Sequence, residues 1–406
     1  MTNYGRPPWI SGFPKARVPS YSRHRGRLTT DVVVVGGGLT GCATAYALGA
    51  SGVKVVLLEA DRIGCGASGA SAGWVGDDPG VTFAHLERAV GPGAARRACQ
   101  AWHRAGLDFA ALLRRLNLRC GLEPHGTLTI AMTPEQAGRV RREQKVRVAA
   151  GLEAPLLGAR TIAAEVGLPA VVAFRARDGA TIDPYRAALG LAAEAGRRGA
   201  RLFERSPVNR ITFTRKIVDV HTAGGAIRAN RVVIATGLPT PLFKALRRHF
   251  WFRHTYLALT ARIPAKTLRA LGQRQGVVRD SATPPHIVRW VDDERLLVMG
   301  ADAEPPADRQ REKVIVQRTG QLMYELSTLY SDISGIAPEY GWDAPYALTA
   351  DGLPYIGPHR NYPHHLFAFG DASHTVTGAY LASRILLRHH LGQIEPADDV
   401  FGFRLD

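Results

Sequence analysis

The stretch Asp31-Val-Val-Val-Val-Gly36-Gly37-Gly38-Leu39-Thr40-Gly41 is followed by a run to Ala50 and by a second apolar run, Val53 to Leu58, that closes on Glu59. Four valines ending in glycines suit a buried parallel strand. Gly36, Gly38 and Gly41 form GxGxxG. The first permits a tight turn, the second lets backbone approach a pyrophosphate, and the third lets the following helix pack closely on the sheet. The N–H groups and dipole at the start of that helix favour a negative phosphate. Glu59 ends the second strand, where an acid accepts hydrogen bonds from a ribose 2′-hydroxyl. Strand, helix, strand and terminal acid in register predict a dinucleotide-binding unit. Gly224-Gly225 falls in a hairpin and makes no second fingerprint, so one dinucleotide is expected.

Outward from this unit, Thr133-Pro134-Glu135 predicts a helix start, with a basic amphipathic helix to about Ala150. Asp183-Pro184 repeats the signal for a helix to about Arg198. Strand patterns follow at Val208 to Thr214, Lys216 to His221, Arg231 to Ala235, Tyr256 to Arg262, His286 to Val291 and Arg295 to Met299. Helices are expected near Arg311 to Tyr330 and over Val376 to Leu391. This order predicts an α/β chain: a discontinuous Rossmann-like domain, residues 31–100, 178–240 and 345–395, interleaved with an antiparallel α+β substrate domain, residues 101–177 and 241–344. Residues 1–30 form a leader and 396–406 a tail.

The 406 residues carry 52 Lys and Arg against 35 Asp and Glu, a net charge of +17 that raises the question of a polyanionic partner. Arg6, Lys15, Arg17, Arg23, Arg25 and Arg27 sit in the leader, which has no acid. The rest is dispersed without aromatic interleaving, as on a solvated surface rather than a nucleic-acid footprint. Pro7, Pro8, Pro14 and Pro19 interrupt the leader where a secretory signal needs an apolar core. No membrane span is expected, because glycines break the most apolar region. Cys42, Cys65, Cys99 and Cys120 show no CxxC and no metal-like spacing with histidine, which reads as free thiols in a reducing cytoplasm and predicts no metal.

Three segments together resemble one family. Asp31 to Ala60 with Asp61-Arg-Ile-Gly-Cys65-Gly-Ala67-Ser68-Gly-Ala70-Ser-Ala72-Gly73 is similar to the first fingerprint of the D-amino-acid oxidase superfamily of FAD-dependent oxidoreductases, which includes glycine, sarcosine and gamma-glutamylputrescine oxidases. Arg231-Val-Val-Ile-Ala-Thr-Gly237 resembles its second flavin-domain strand. Asp351-Gly-Leu-Pro-Tyr-Ile-Gly357, with Leu366 to Leu386, resembles its C-terminal loop and helix. The resemblance implies FAD with Gly36, Gly38, Thr40 and Gly41 at the pyrophosphate, and Glu59 and Ala60 at the adenosine ribose. Ala67, Ser68, Ala72, Gly73 and Trp74 would lie on the ribityl and flavin side, and Val208 and Gly237 beside adenine. Gly370, Asp371, Ala372, Ser373, His374, Thr375, Val376 and Thr377 would lie against the flavin ring, with the helix start at Val376 favouring negative charge there.

Departures from the family pattern sharpen the expectation. Positions that tether flavin covalently in some members are Ala70 and Ala344 here, which predicts non-covalent FAD. The arginine that clamps a substrate α-carboxylate corresponds to Tyr346; Arg289 either replaces it or is an exposed strand residue. The chain thus leans toward an amine, or an amine bearing a distant anionic group, over a plain α-amino acid. In the expected reaction a neutral amine delivers hydride from its carbon to flavin N5 and the imine hydrolyses in water, with no side chain required as acid or base. Tyr256, Arg289, Tyr346 and His374 are the pocket candidates, and the aromatic run His249 to Tyr256 reads either as pocket entrance or as core. Oxygen or another electron acceptor stays open, as do two alternatives: a flavin enzyme acting on a modified tRNA nucleoside, and a non-catalytic flavoprotein with a docking leader.

Overall fold

The computed structural model describes residues 1–271, 276–371 and 373–404, and its central feature is a six-stranded sheet. Its strands run in the order Arg201–Phe203, Val55–Leu58, Val32–Val35, Arg231–Gly237, Tyr362–Phe369 and Tyr355–His359. The first five are parallel, and the last turns back antiparallel on its neighbour. Alternation along the strands explains why the valine run has no polar residue. Val32 and Val34 pack with Val55 and Leu57 beneath helices Leu39–Ala50, Pro184–Arg197 and Thr377–Leu391, whereas Val33 and Val35 pack with Val56 and Leu58 beneath a second sheet. Both faces of a parallel sheet are covered, so every side chain is apolar. The covering sheet pairs Val208–Phe213, Val218–Thr222, Gly225–Ala229 and Gly26–Thr29, with Gly224 and Gly225 in the expected hairpin.

The predicted helix starts are present. Thr133 caps helix Pro134–Ala149 in a reciprocal box with Gln136, and the Asp183 carboxylate accepts the Arg186 N–H at 2.9 Å ahead of helix Pro184–Arg197. Helix Pro92–Arg115 runs across residue 100 and packs its Trp102 and Phe109 into the core beneath the parallel sheet.

The second body is a mixed nine-stranded sheet. Its centre is antiparallel, ordered Pro338–Leu348, Trp251–Thr260, Arg295–Ala303, Ile287–Val291 and Val277–Arg279. One face, with Tyr256, Ala258, Val288 and Val298, lies under helix Arg311–Leu329 through Ile315, Leu322 and Leu326. The other face, with Leu257, Ile287, Met299, Trp342 and Ala344, packs on Ala70, Ala72 and Trp74 of the first fingerprint.

Residues 1–30 are tied into both bodies. Asn3 and Tyr4 add to strand Pro338–Leu348, Gly26–Thr29 adds to Gly225–Ala229, and Trp9 Nε1 donates to the Ser71 carbonyl at 3.0 Å. Among the described residues no helix is long and apolar enough to cross a membrane.

Candidate functional site

The glycine loop is shaped by contacts that exclude a side chain. Gly36 has φ +108, and a Cβ there would stand 2.6 Å from the Ala235 carbonyl oxygen; a Cβ on Gly41 would stand 1.8 Å from that of Gly36. Helix Leu39–Ala50 therefore starts hard against the strand ends, capped by no side chain at Gly38. The Ser68 hydroxyl accepts the Leu39 N–H at 2.8 Å, and Glu59 accepts the Gly37 and Asp61 N–H groups at 2.6 and 2.8 Å. Burial raises the Glu59 carboxyl above its ordinary pKa in spite of those donors.

The C-terminal helix Thr377–Leu391 brings a second start to the same place. Its N-cap Val376 supplies no side-chain bond, and the Val376 N–H donates to the Trp74 carbonyl at 2.8 Å. The preceding loop is held by Asp371, whose Oδ1 accepts both the Ser373 N–H and its hydroxyl. A Cβ on Gly378 would fall 2.2 Å from Asp371 Oδ2, so this carboxylate and the first turn of the helix require each other.

Between the two helix starts lies a cavity of about 420 Å³. Gly36, Gly38, Thr40, Glu59, Ala60, Ala67, Ser68, Val208, Gly237, Gly370, Asp371, His374, Thr375, Val376 and Tyr346 all line it. Gly41, Ala72, Gly73, Trp74, Ser373 and Thr377 do not. Gly41 serves packing, Trp74 and Ala72 are buried against the second sheet, Ser373 bonds Asp371, and the Thr377 hydroxyl donates to the Gly76 carbonyl at 2.7 Å. Ala372 lies outside the described residues.

Two pocket candidates stand elsewhere. Tyr256 is buried on the opposite face of the sheet, beneath helix Arg311–Leu329, because strand neighbours alternate and its neighbour Thr255 takes the cavity side. Arg289 is buried rather than exposed: its guanidinium lies 5.1 Å from the Trp9 ring and Nη2 donates to the Ile182 carbonyl at 3.3 Å. Burial lowers its pKa to about 10. Of the run His249 to Tyr256, only Thr255 reaches the cavity; Phe250 packs on Tyr355 and Phe369, and Trp251 faces solvent.

Behind the lining residues Tyr346 and His374 stands a residue that sequence reasoning missed. Asp302, at the end of strand Arg295–Ala303, accepts the Tyr346 hydroxyl at 2.5 Å on Oδ2, and His374 Nε2 lies 3.3 Å from the same oxygen. Burial alone would raise the Asp302 carboxyl, but His374, Tyr346 and Thr255 outweigh it and hold it below the usual carboxylate value. Burial, then the Asp302 charge, pushes the Tyr346 hydroxyl well up. A lone acid at a strand end carries no sequence signal. Among the described lining residues there is no arginine, lysine or cysteine.

Two helix starts, close-packed glycines and the Glu59 carboxylate line one cavity, a lining that fits a dinucleotide and is the architecture of a flavin-dependent oxidoreductase. Residues 31–388 match the DAO family, described as FAD-dependent oxidoreductase, and the chain belongs to that family. It is an enzyme whose cofactor is FAD. Gamma-glutamylputrescine oxidoreductase of Escherichia coli is 28% identical over 378 residues, covering 91% of this chain and 86% of its own length. Glycine oxidase of Geobacillus kaustophilus is 27% identical over 410 residues, covering 92% and 96%. The crystal structure of the latter superposes with a TM-score of 0.76, covering 92% of this chain and 98% of that one at 22% identity. L-Amino acid deaminase from Proteus myxofaciens in complex with anthranilate, at 15% identity and 96% coverage of both chains, gives the same score and shows the same fold.

Proposed function

We propose that this chain oxidises the carbon–nitrogen bond of a primary or secondary amine and that the resulting imine hydrolyses in water. The observation that carries this is the chemistry at the Tyr346 end of the cavity. That end presents His374, Tyr346, Thr255, Met299 and Ala344, with an ionised carboxylate behind them and no arginine or lysine among the described lining residues. A carboxylate-bearing substrate would find no bidentate partner there, whereas an amine meets hydroxyl and imidazole acceptors. The names of two relatives, one an oxidoreductase of gamma-glutamylputrescine and one an oxidase of glycine, bracket this chemistry.

When bound, FAD supplies the two-electron acceptor that takes hydride from the carbon bearing nitrogen. Gly36 to Thr40 and the start of helix Thr377–Leu391 would hold its phosphates and ring, with Glu59 at the adenosine ribose. Met299 and Ala344 keep water from the reacting carbon, and Tyr346, fixed by Asp302, forms a rigid wall that orients the substrate.

The test is anaerobic addition of a panel of amines and α-amino acids to the purified yellow protein, followed by flavin absorbance. Bleaching by amines faster than by amino acids is expected. No bleaching by any of them, or preference for α-amino acids, would overturn the reading.

A further inference from the structure

An amine is mostly protonated at neutral pH, since alkyl ammonium groups titrate near 10, and an ammonium has no lone pair to assist loss of hydride. The cavity holds a device suited to removing that proton. His374 and Asp302 are both nearly closed to solvent, at 9% and 5% side-chain exposure, with Nε2 of the ring 3.3 Å from Asp302 Oδ2. A carboxylate at Nε2 places the ring's N–H there and leaves Nδ1 as the atom with a lone pair. Tyr346 packs edge-on against the imidazole, ring centroids 4.7 Å apart, and donates its hydroxyl to the same Asp302 oxygen, so the pair is clamped from a second side. His374 adopts φ +57, a left-handed conformation unusual for a side-chain-bearing residue, in a loop where strain commonly accompanies a functional position.

Charged and titratable groups face the pair from several elements, His286 and Tyr256 among them through Asp302. Asp302 comes from strand Arg295–Ala303, Tyr346 from strand Pro338–Leu348, and Asp371 from the ring's own loop. Arg253, opposite Tyr346 on strand Trp251–Thr260, acts on Tyr346 by its charge.

We propose that His374, positioned by Asp302, accepts the proton of the substrate ammonium before oxidation. This rests on the amine reading above. The ammonium N–H bond breaks, its electron pair stays on the substrate nitrogen, and the proton bonds to Nδ1. The imidazolium keeps its Nε2–H toward Asp302, which remains a carboxylate and stabilises the new charge, and the proton passes to water as the product leaves. His374 is the catalytic residue and Asp302 a positioning residue acting through it.

Asp302→Asn and His374→Ala, loaded with FAD, are assayed from pH 6 to 10 for kcat/KM with an amine that the wild type oxidises. Each is expected to lose about a hundredfold at pH 7, the usual scale of a general base, and to recover to within about tenfold of wild type at pH 10, where free amine is abundant. Imidazole in the buffer restores part of the His374→Ala rate. Independently of turnover, nitrogen-15 spectra of the imidazole report the Nε2–H tautomer in wild type and its loss in Asp302→Asn, while melting temperature and the flavin spectrum report folding. Equal losses at both pH values, with no imidazole rescue and an unchanged tautomer, would overturn the relay while leaving amine oxidation standing. A wild-type enzyme that oxidises no amine at any pH overturns both.

Discussion

Gly41 sits so close to Gly36 that any side chain on it would collide with the Gly36 carbonyl: the nearest approach of a Cβ would be 1.8 Å. The oxygen is backbone and cannot swing away. Gly41→Ala therefore has to push helix Leu39–Ala50 off the strand ends, and its N-terminus away from its place at the cavity. We expect destabilisation of about 1–3 kcal/mol or more, and loss of most bound FAD. Gly320→Ala is the control, since this helical glycine has open space around its Cβ position and alanine is the better helix former. The ratio of flavin to protein absorbance, with melting temperature, checks both.

Acid sensitivity should centre on a buried charge network. Asp78 meets Arg147 at 2.8 Å and Arg279 at 3.2 Å, and Glu143 meets Arg147 at 2.9 Å, all buried between the first fingerprint and the second body. Burial would raise Asp78, but the two guanidinium groups win and lower it to about 2. Its folded pKa lies below its unfolded one, so its stabilisation is complete above about pH 4 and fades as pH falls toward 2. Arg147→Met should cost about 3–5 kcal/mol at pH 7 by removing the guanidinium that pairs buried Glu143 and leaving Asp78 with Arg279 alone. The deficit should be smaller at about pH 3 than at pH 7, because the charge-dependent stabilisation by Asp78 fades over that range. Urea unfolding at the two pH values measures it.

The leader should matter for stability. Trp9 bonds Ser71, covers Arg289 and packs against the buried cluster that holds Ala70 and Ala72. Trp9→Ala should cost about 2 kcal/mol, through lost contact area and an exposed, poorly partnered guanidinium. Deletion of residues 1–30 also removes two strand pairings and should lower the melting temperature further. Differential scanning calorimetry on the three proteins ranks them.

FAD should leave on denaturation. No cysteine lines the cavity among the described residues, Cys42 and Cys99 are buried, and burial raises the Cys65 thiol away from the reactive thiolate form. Acid precipitation should leave the yellow colour in the supernatant; a yellow pellet would show a tether.

Much of this site was legible in the chain because its signals are local. The GxGxxG spacing, the acid at Glu59 and the start of the last helix at Val376 depend on residues a few positions apart, and the cavity gathers all three. The pocket walls were harder to read. Tyr256 and Tyr346 look alike as strand aromatics, yet only Tyr346 faces the cavity, because side chains alternate and the register of the sheet decides which parity points inward. Arg289 looked like a choice between carboxylate clamp and surface residue. It is neither exposed nor at the cavity: the leader's Trp9 covers it.

The sequence by itself determined the parallel valine strand, the glycine turn and the helix that follows it, and hence a dinucleotide-binding fold, since each follows from steric limits and periodicity within about thirty residues. Only the tertiary structure decided that Asp302, a lone acid with no motif, stands behind His374 and Tyr346. The pairing of strands separated in sequence brings these three together, and burial then gives a carboxylate, an imidazole and a phenol electrostatic leverage that none has alone in water.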